Sequence, residues 1–187
     1  EPANLAINAA LTGHLVLSTL HTNSAATAIP RLLDMGVEPF LLVSTIRLII
    51  SQRLVRQLCS VREKYEMTDA ELKELKNRVD TEKVLAELVA ENIIKNGEAG
   101  KAGWSKIPLF RPSITSECAD GYAHRIGIHE IMPLSVALKE MVMKGETAAK
   151  LELEAKKEGM MTMLEDGIYK AARGITSLEE VFRVVSE

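Results

Sequence analysis

The sequence has few cysteines and few aromatic residues, and it has no strong excess of charge of either sign. Two cysteines, Cys59 and Cys118, and 4% aromatic residues occur among 187 residues, with a formal net charge of −3. Two cysteines in a chain of this length do not make a disulfide framework, and they suit a reducing compartment. The basic residues are not gathered into one stripe, so the charge pattern does not indicate nucleic-acid binding.

The chain also lacks a secretory signal and a long apolar run. Its longest apolar run, Pro39 to Ile50, is shorter than the roughly 20 residues that span a bilayer, and Arg47 interrupts it. The first residues are Glu-Pro-Ala-Asn, without Met or a basic segment, so we expect a piece of a longer protein. No segment of these residues is expected to enter a membrane by itself.

Helical and strand patterns alternate at short spacing in the first third of the chain, which is typical of α/β proteins. The short, branched, mostly apolar segment 15–20 predicts a buried strand of a parallel sheet. A helix follows and is predicted to end at Met35, with Gly36 as a left-handed stop. The pattern then predicts a second helix from Pro39 to Gln52 and a strand over 54–58.

Residues 61–106 have a different character and predict a helical insertion. Thr68 and Glu71 form a capping-box pattern at the start of one helix. The apolar spacing over 81–95 predicts another helix, and the residues 96–100 predict a turn.

The last part of the chain predicts two strands followed by helices. The strands are expected over 107–111 and 125–132. Ser135 is expected to open one helix, and the pattern Ser177-Leu-Glu-Glu180 predicts a capping box at the start of another.

The predicted strand 15–20 ends at His21-Thr22-Asn23. A histidine at the carboxyl end of a buried strand lies where open α/β sheets place their ligand sites. Its imidazole can hydrogen-bond a phosphate oxygen, and its charge shifts easily near pH 7. The alternative is a histidine that makes only a structural hydrogen bond, and the position alone leaves both interpretations open.

The segment from Ala10 to Asn23 closely resembles the histidine box of the secretion ATPases. Further blocks match that family in the same order: 31–36, 39–40, 52–56, 121–122, 125–130, 159–160, 165–167 and 174–181. Together they leave only the insertion uncovered. The chain therefore resembles the C-terminal part of a type II secretion or type IV pilus assembly (extension) ATPase.

The resemblance implies an α/β fold with a partial RecA-like sheet of the P-loop NTPase type, a helical insertion and a C-terminal helical lobe. Residues 1–60 are then the C-terminal portion of the ATPase core. Residues 61–120 are an insertion in place of the family's metal-binding module, and residues 121–187 hold the last strands and the helical lobe.

The implied function is that of a homo-hexameric motor that hydrolyses ATP with Mg²⁺ and powers pilus assembly or type II secretion. It is expected in the cytoplasm, peripheral at the inner membrane, bound to a platform protein. His21 is the catalytic candidate, contacting the phosphate region of the nucleotide. Thr22, Asn23, Arg53 and Arg56 are candidate nucleotide-binding residues, and for the arginines the alternative is a salt bridge or a capping contact.

No Gly-x-x-x-x-Gly-Lys-Ser/Thr pattern occurs in the sequence, so the backbone cradle that holds phosphates is not encoded in it. We expect that loop, and the acidic motif of the family, upstream in a longer parent, and no hydrolysis by these residues alone. Two alternatives remain open. One is a nonenzymatic interaction module that docks the platform protein, and the other is a stand-alone regulator derived from the same family.

Many members of the resembled family carry four cysteines, in two Cys-x-x-Cys pairs, that bind zinc. Cys59 and Cys118 correspond to one member of each pair, Arg62 stands where a second would be, and His124 could add a third ligand. A closed zinc site needs four ligands. We therefore expect no zinc, and interpret both cysteines as remnants of that module or as core residues.

Overall fold

The computed structural model describes residues 2–91, 93–94, 104 and 107–186. Its elements are α1 (Pro2–Leu11), α2 (Ala25–Asp34), α3 (Pro39–Thr45), β1 (Leu48–Leu58), β2 (Arg62–Tyr65), α4 (Asp69–Arg78), α5 (Thr81–Ala90), β3 (Leu109–Pro112), β4 (Tyr122–Pro133), α6 (Val136–Met143), α7 (Ala148–Lys157), α8 (Met163–Ala172) and α9 (Leu178–Val185). Runs of helices and pairs of strands follow one another along the chain, so the structure is mixed, as expected for the α/β class.

The chain forms two compact units, each assembled from two separate stretches of sequence. Unit 1 comprises Glu1–Ser51 and Glu130–Thr162, and unit 2 comprises Gln52–His129 and Met163–Glu187. This grouping differs from the division at 60 and 120 derived from the resemblance. That division concerns function rather than compactness and stays a prediction.

Two small sheets are described, each with two strands. One pairs β1 with β4, and the other pairs β2 with β3. The β2–β3 pair is antiparallel, with Arg62 opposite Pro112 and Tyr65 opposite Leu109. Both β1 and β4 contain residues of both units, so the chain passes between the units within these strands.

An apolar cluster lies among the helices of unit 1 and the end of β4. Its buried members come from α1, α2, α3, β4, α6 and α7 and the residues flanking them: Ile7, Ala25, Ala26, Ile29, Val37, Leu42, Met132, Leu134, Leu138, Val142, Leu151, Ala155 and Met160. Helix α2 contributes one face, because small or branched apolar residues recur along it at helical spacing. As predicted, α2 stops just before Gly36, which has a φ of 84°.

The segment 14–20 differs from the prediction. It belongs to no described strand, and the Leu15 and Leu17 side chains are 90% and 88% exposed. The prediction of a buried strand is therefore wrong for this chain. An apolar pattern becomes a buried strand only where other strands bond its backbone and cover its faces, and the described residues provide no such neighbours.

The predicted helix over 39–52 is also wrong at its end. Helix α3 stops at Thr45, and β1 already begins at Leu48. Ile49 and Ile50 are β-branched residues that favour extended backbone, and pairing with β4 satisfies the hydrogen bonds of that backbone. Apolar content alone does not show which part of segment 39–52 is helical and which part is extended.

The insertion in unit 2 contains the two predicted helices, α4 and α5, but it begins with the strand β2, which the sequence reasoning did not predict. The Thr68 amide donates to Glu71 Oε2 at 2.8 Å, and the Glu71 amide donates to Thr68 Oγ1 at 3.3 Å, so the capping box forms. Helix α5 ends at Ala90, before the predicted end at 95. Buried Trp104 donates from Nε1 to the Thr81 carbonyl at 3.0 Å and ties the insertion together. The predicted turn at 96–100 lies outside the described residues.

The helical tail also forms. The Ser135 hydroxyl accepts a hydrogen bond from the Leu138 amide, and the Ser177 hydroxyl accepts one from the Glu180 amide, so both helices start at their predicted N-caps. Only this half of the capping box predicted at Ser177 forms, because the Glu180 carboxylate contacts two arginines instead. Among the residues that the structure describes, no helix is both long enough and apolar enough to cross a lipid bilayer.

Candidate functional site

The His21 loop, residues 21–24, connects the exposed segment 14–20 to α2. The side chains of His21 and Asn23 are exposed, and Thr22 is partly buried. The Thr22 hydroxyl donates to the Ser24 carbonyl at 3.2 Å, which folds the loop back toward the helix. The His21 imidazole is therefore accessible to a ligand and is not packed into a core.

Local sequence fixes the start of α2. Ser24 has extended backbone, with φ −149° and ψ 166°, as an N-cap residue requires. Its Oγ accepts from the Thr27 amide at 3.3 Å, and Thr27 Oγ1 accepts from the Ser24 amide at 3.1 Å. The loop that carries His21 thus enters the helix through a reciprocal cap.

A residue distant in sequence also holds this helix start. The Ala25 amide donates to Glu130 Oε1 at 2.7 Å, across 105 positions of sequence. Glu130 lies in β4 and is only 4% exposed. The sequence reasoning gave it no role, although an acid that shares a strand face with the apolar residues Ile128 and Met132 is a signal, because a buried carboxyl group needs a hydrogen-bonding partner.

Arg53 and Arg56 lie on the part of β1 that belongs to unit 2. Arg53 Nη1 donates to the Val184 carbonyl at 2.7 Å, and Arg56 Nη2 donates to Glu180 Oε2 at 2.8 Å. Both guanidinium groups thus make contacts of the structural kind that was left open as their alternative. The structure brings together His21, Thr22 and Asn23 in one loop, and the nucleotide-binding role of the arginines stays a prediction.

Glu180 is the centre of a charged network in unit 2. Its carboxylate receives hydrogen bonds from Arg56 and from Arg183, whose Nη2 lies 2.7 Å from Oε1, and the side chain is 1% exposed. Burial opposes its charge, but the hydrogen bonds from Arg183 and Arg56 outweigh burial and lower its pKa to about 2. The predicted capping-box residue Glu180 thus directs its carboxylate to two arginines.

The Arg56 guanidinium also stacks on an aromatic ring. Its central carbon lies 4.1 Å from the centroid of the Tyr122 ring, and Tyr122 Oη is 2.7 Å from Ser177 Oγ. The hydrogen bond with Glu180 raises the pKa of Arg56. These contacts join β1, β4 and the start of α9 within unit 2.

Cys59 and Cys118 are joined by a disulfide across 59 positions of sequence. The sequence analysis, which interpreted them as remnants or core residues, did not anticipate this bond. Tertiary structure explains it: Cys59 directly follows β1, Cys118 shortly precedes β4, and the Cys59 amide donates to the Gly121 carbonyl at 3.0 Å. Strand pairing therefore brings the two cysteines together.

An open cavity of about 300 Å³ lies beside the disulfide in unit 2. Its polar lining includes Ser60, Thr115, Glu117 and His124, and His124 has a φ of 65°. Within the described part of the chain, no group of three or more His, Cys, Asp or Glu residues is placed to hold a metal ion.

The sequence model of a protein family described as "Type II/IV secretion system protein" matches residues 1–183. The chain belongs to this family. It is 43% identical to the type II secretion system protein E of Xanthomonas campestris pv. campestris, over 100% of this chain and 30% of that protein. It is 40% identical to the type IV pilus assembly ATPase PilB of Pseudomonas aeruginosa, over 100% of this chain and 29% of that protein.

These matches confirm the resemblance inferred from the histidine box and the blocks that follow it. They also show that this type II/IV secretion system chain spans about 30% of the length of the curated relatives it matches. Among solved structures, the ATPase DotB of Legionella pneumophila matches 98% of this chain and 35% of that chain, with a TM-score of 0.55 and 17% identity. At that identity the match establishes the α/β fold.

Proposed function

We propose that this chain is the C-terminal part of an ATPase motor that powers type II secretion or the assembly of a type IV pilus. Membership in the type II/IV secretion system family supports this, as do relatives named for both processes. In the complete protein we expect ATP hydrolysis with Mg²⁺. The phosphate-binding loop and the acidic residues for that reaction lie in sequence outside these residues.

The observation that carries the proposal is the exposed His21 on a loop with a fixed helix start behind it. Catalysis of phosphoryl transfer relies on positioning and on electrostatic stabilisation of phosphate oxygens. An imidazole on an anchored loop can contact the terminal phosphate of ATP, and Thr22 and Asn23 offer a hydroxyl and an amide beside it. We therefore assign His21 as the catalytic candidate and its two neighbours to nucleotide binding.

The exposure of segment 14–20 supports the same assignment. The neighbouring exposed leucines Leu15 and Leu17 form an apolar surface that another part of a protein can cover, and a segment that pairs with no strand among the described residues can accept one. Strands of the longer protein would complete a sheet around this segment. His21 would then lie at the end of an interior strand, where α/β sheets bind ligands.

Arg53 and Arg56 remain candidates for nucleotide binding, although Arg56 is already bonded to the Glu180 carboxylate. Arg56 would have to exchange its bond with the Glu180 carboxylate for one with a phosphate. We further propose the homo-hexameric state, the platform protein of the inner membrane as partner, and a position at the cytoplasmic face of that membrane.

The test is ATP turnover by the complete protein with His21→Ala. We expect kcat to fall at least about tenfold, because the loss of a transition-state contact of about 1.4 kcal/mol has that effect. His14→Ala is the matched control: His14 is exposed in the same segment, and its Nδ1 lies 3.0 Å from Thr12 Oγ1. His14→Ala should retain turnover.

Wild-type turnover in the His21→Ala variant would remove His21 from the chemistry. It would favour the nonenzymatic interaction module, in which this part of the protein docks a membrane platform and nucleotide is incidental.

A further inference from the structure

Glu130 is buried in unit 1 and contacts the helix that follows the His21 loop. Its Oε1 accepts a hydrogen bond from the Ala25 amide at 2.7 Å, and the residue is 4% exposed. Ala25 is the first residue of α2, so its amide has no partner within the helix. An acidic side chain at this end of a helix is also favoured by the helix dipole.

The helix start has little freedom to move around this contact. Ala25 and Ala26 are 0% and 1% exposed, and both pack in the apolar cluster of unit 1. The Ser24–Thr27 cap stabilises the shape of the turn, but it joins only residues of the same turn. Glu130 is different, because it ties the turn to β4, a separate element of the unit.

We propose that Glu130 is a positioning residue for ATP hydrolysis, acting through the His21 loop. This inference rests on the proposed function of His21. Glu130 is too deeply buried to meet the nucleotide in this structure, so it acts by fixing where the loop leaves α2. A displacement of about 1 Å in a catalytic group can lower a rate by about 100-fold, so the position of this helix start matters.

The first measurement is hydrogen–deuterium exchange of the complete protein, read from peptides that cover residues 21–29. Glu130→Ala removes the acceptor of the Ala25 amide and should increase deuterium uptake in these peptides. Glu130→Gln keeps an oxygen at the same position and should restore most of the protection. Unchanged uptake in Glu130→Ala would overturn the inference, whatever the kinetics.

A matched control comes from the same unit. Glu158 Oε1 accepts a hydrogen bond from the Ser135 hydroxyl at 2.8 Å, beside the start of α6. Glu158→Gln changes an acid near the start of α6 and leaves the contacts at the start of α2 intact. It should leave uptake over 21–29 and turnover at the wild-type level.

The second measurement is steady-state ATP hydrolysis by the same variants. Glu130→Ala should lower kcat about tenfold and leave KM for ATP within about twofold, because a displaced catalytic group weakens transition-state contacts more than ground-state binding. Glu130→Gln should recover most of the lost kcat. Partial unfolding would also lower the apparent kcat at unchanged KM, so each rate is divided by the fraction of folded protein, which circular dichroism measures on the same samples.

A double variant separates this inference from the proposed function. If Glu130 acts through His21, His21→Ala combined with Glu130→Ala should be no slower than His21→Ala alone, because the two changes remove the same interaction. Losses that multiply would overturn the positioning role and leave the role of His21 intact. By contrast, full turnover in the single His21→Ala variant would refute the proposed function itself.

Discussion

His21 in unit 1 and Arg56 in unit 2 are both candidate contacts for a phosphate group, and the structure shows them in opposite states. His21 is exposed at the end of a segment that pairs with no strand among the described residues. Arg56, by contrast, is bound to the buried carboxylate of Glu180. A basic side chain is available to a ligand when no acid of its own unit already binds it. Residue type and family position do not distinguish His21 from Arg56. The exposure of His21 and the pairing of Arg56 with buried Glu180 do distinguish them.

The units also differ in the kinds of bond that hold distant residues together. Unit 2 has a covalent link between Cys59 and Cys118 and an ionic network, whereas the cluster of unit 1 is apolar. Unit 2 should therefore lose stability in reductant and in acid, whereas a substitution in the exposed segment 14–20 of unit 1 should change stability little. Three experiments test this contrast, from the largest expected effect to the smallest.

Loss of the disulfide should have the largest effect. Cys118→Ser should lower the free energy of unfolding by about 4 kcal/mol, since the bond closes a loop of 59 positions and restricts the unfolded chain. Urea unfolding followed by circular dichroism measures this. Dithiothreitol should lower wild-type stability by a similar amount and leave the variant unchanged. A wild-type protein indifferent to dithiothreitol would contradict the contribution of the disulfide.

Acid should weaken the Glu180 network. Folding lowers the pKa of Glu180 from 4.5 to about 2, so its ionised form is the one that the folded state favours. Its contribution, about 3 kcal/mol, should be present above pH 4.5 and lost as pH falls toward 2. Urea unfolding of wild type and Glu180→Gln between pH 7 and pH 2.5 measures this difference.

Glu179→Gln is the control for the acid experiment. Its side chain is 59% exposed and pairs with Arg111 at 3.5 Å, and such surface pairs contribute little. Glu179→Gln should change the pH dependence of the free energy of unfolding less than Glu180→Gln does. Equal changes would show that burial and pairing with two arginines do not set the pKa of Glu180.

The smallest effect is expected in segment 14–20. Leu17→Ser should change the stability of the 187-residue chain by no more than about 0.5 kcal/mol, because an exposed leucine loses few contacts. In the complete protein, Leu17→Ser should lower stability by more than this, if strands outside residues 1–187 cover the segment. Thermal unfolding of both forms gives the comparison, and equal small changes would argue against such strands.

Local features of the fold were predictable from the sequence. The cap at Ser177, the capping box of Thr68 with Glu71 and the stop at Gly36 depend on residues within one helical turn. The candidate His21 was also accessible to sequence reasoning, through its place at the end of an apolar segment and through the family blocks. The exposure of segment 14–20 was not predictable, because a strand pattern does not say whether neighbouring strands belong to the same chain.

The sequence by itself determined where the capped helices start, where α2 stops before Gly36, and which family the chain resembles. Only the tertiary structure decided three contacts: Glu130 with Ala25, Cys59 with Cys118, and Glu180 with Arg56, across 105, 59 and 124 positions. The physical reason is the range of the interactions. A cap is made by residues that the helix itself brings together, whereas these contacts exist only after distant stretches of chain have packed into the same unit.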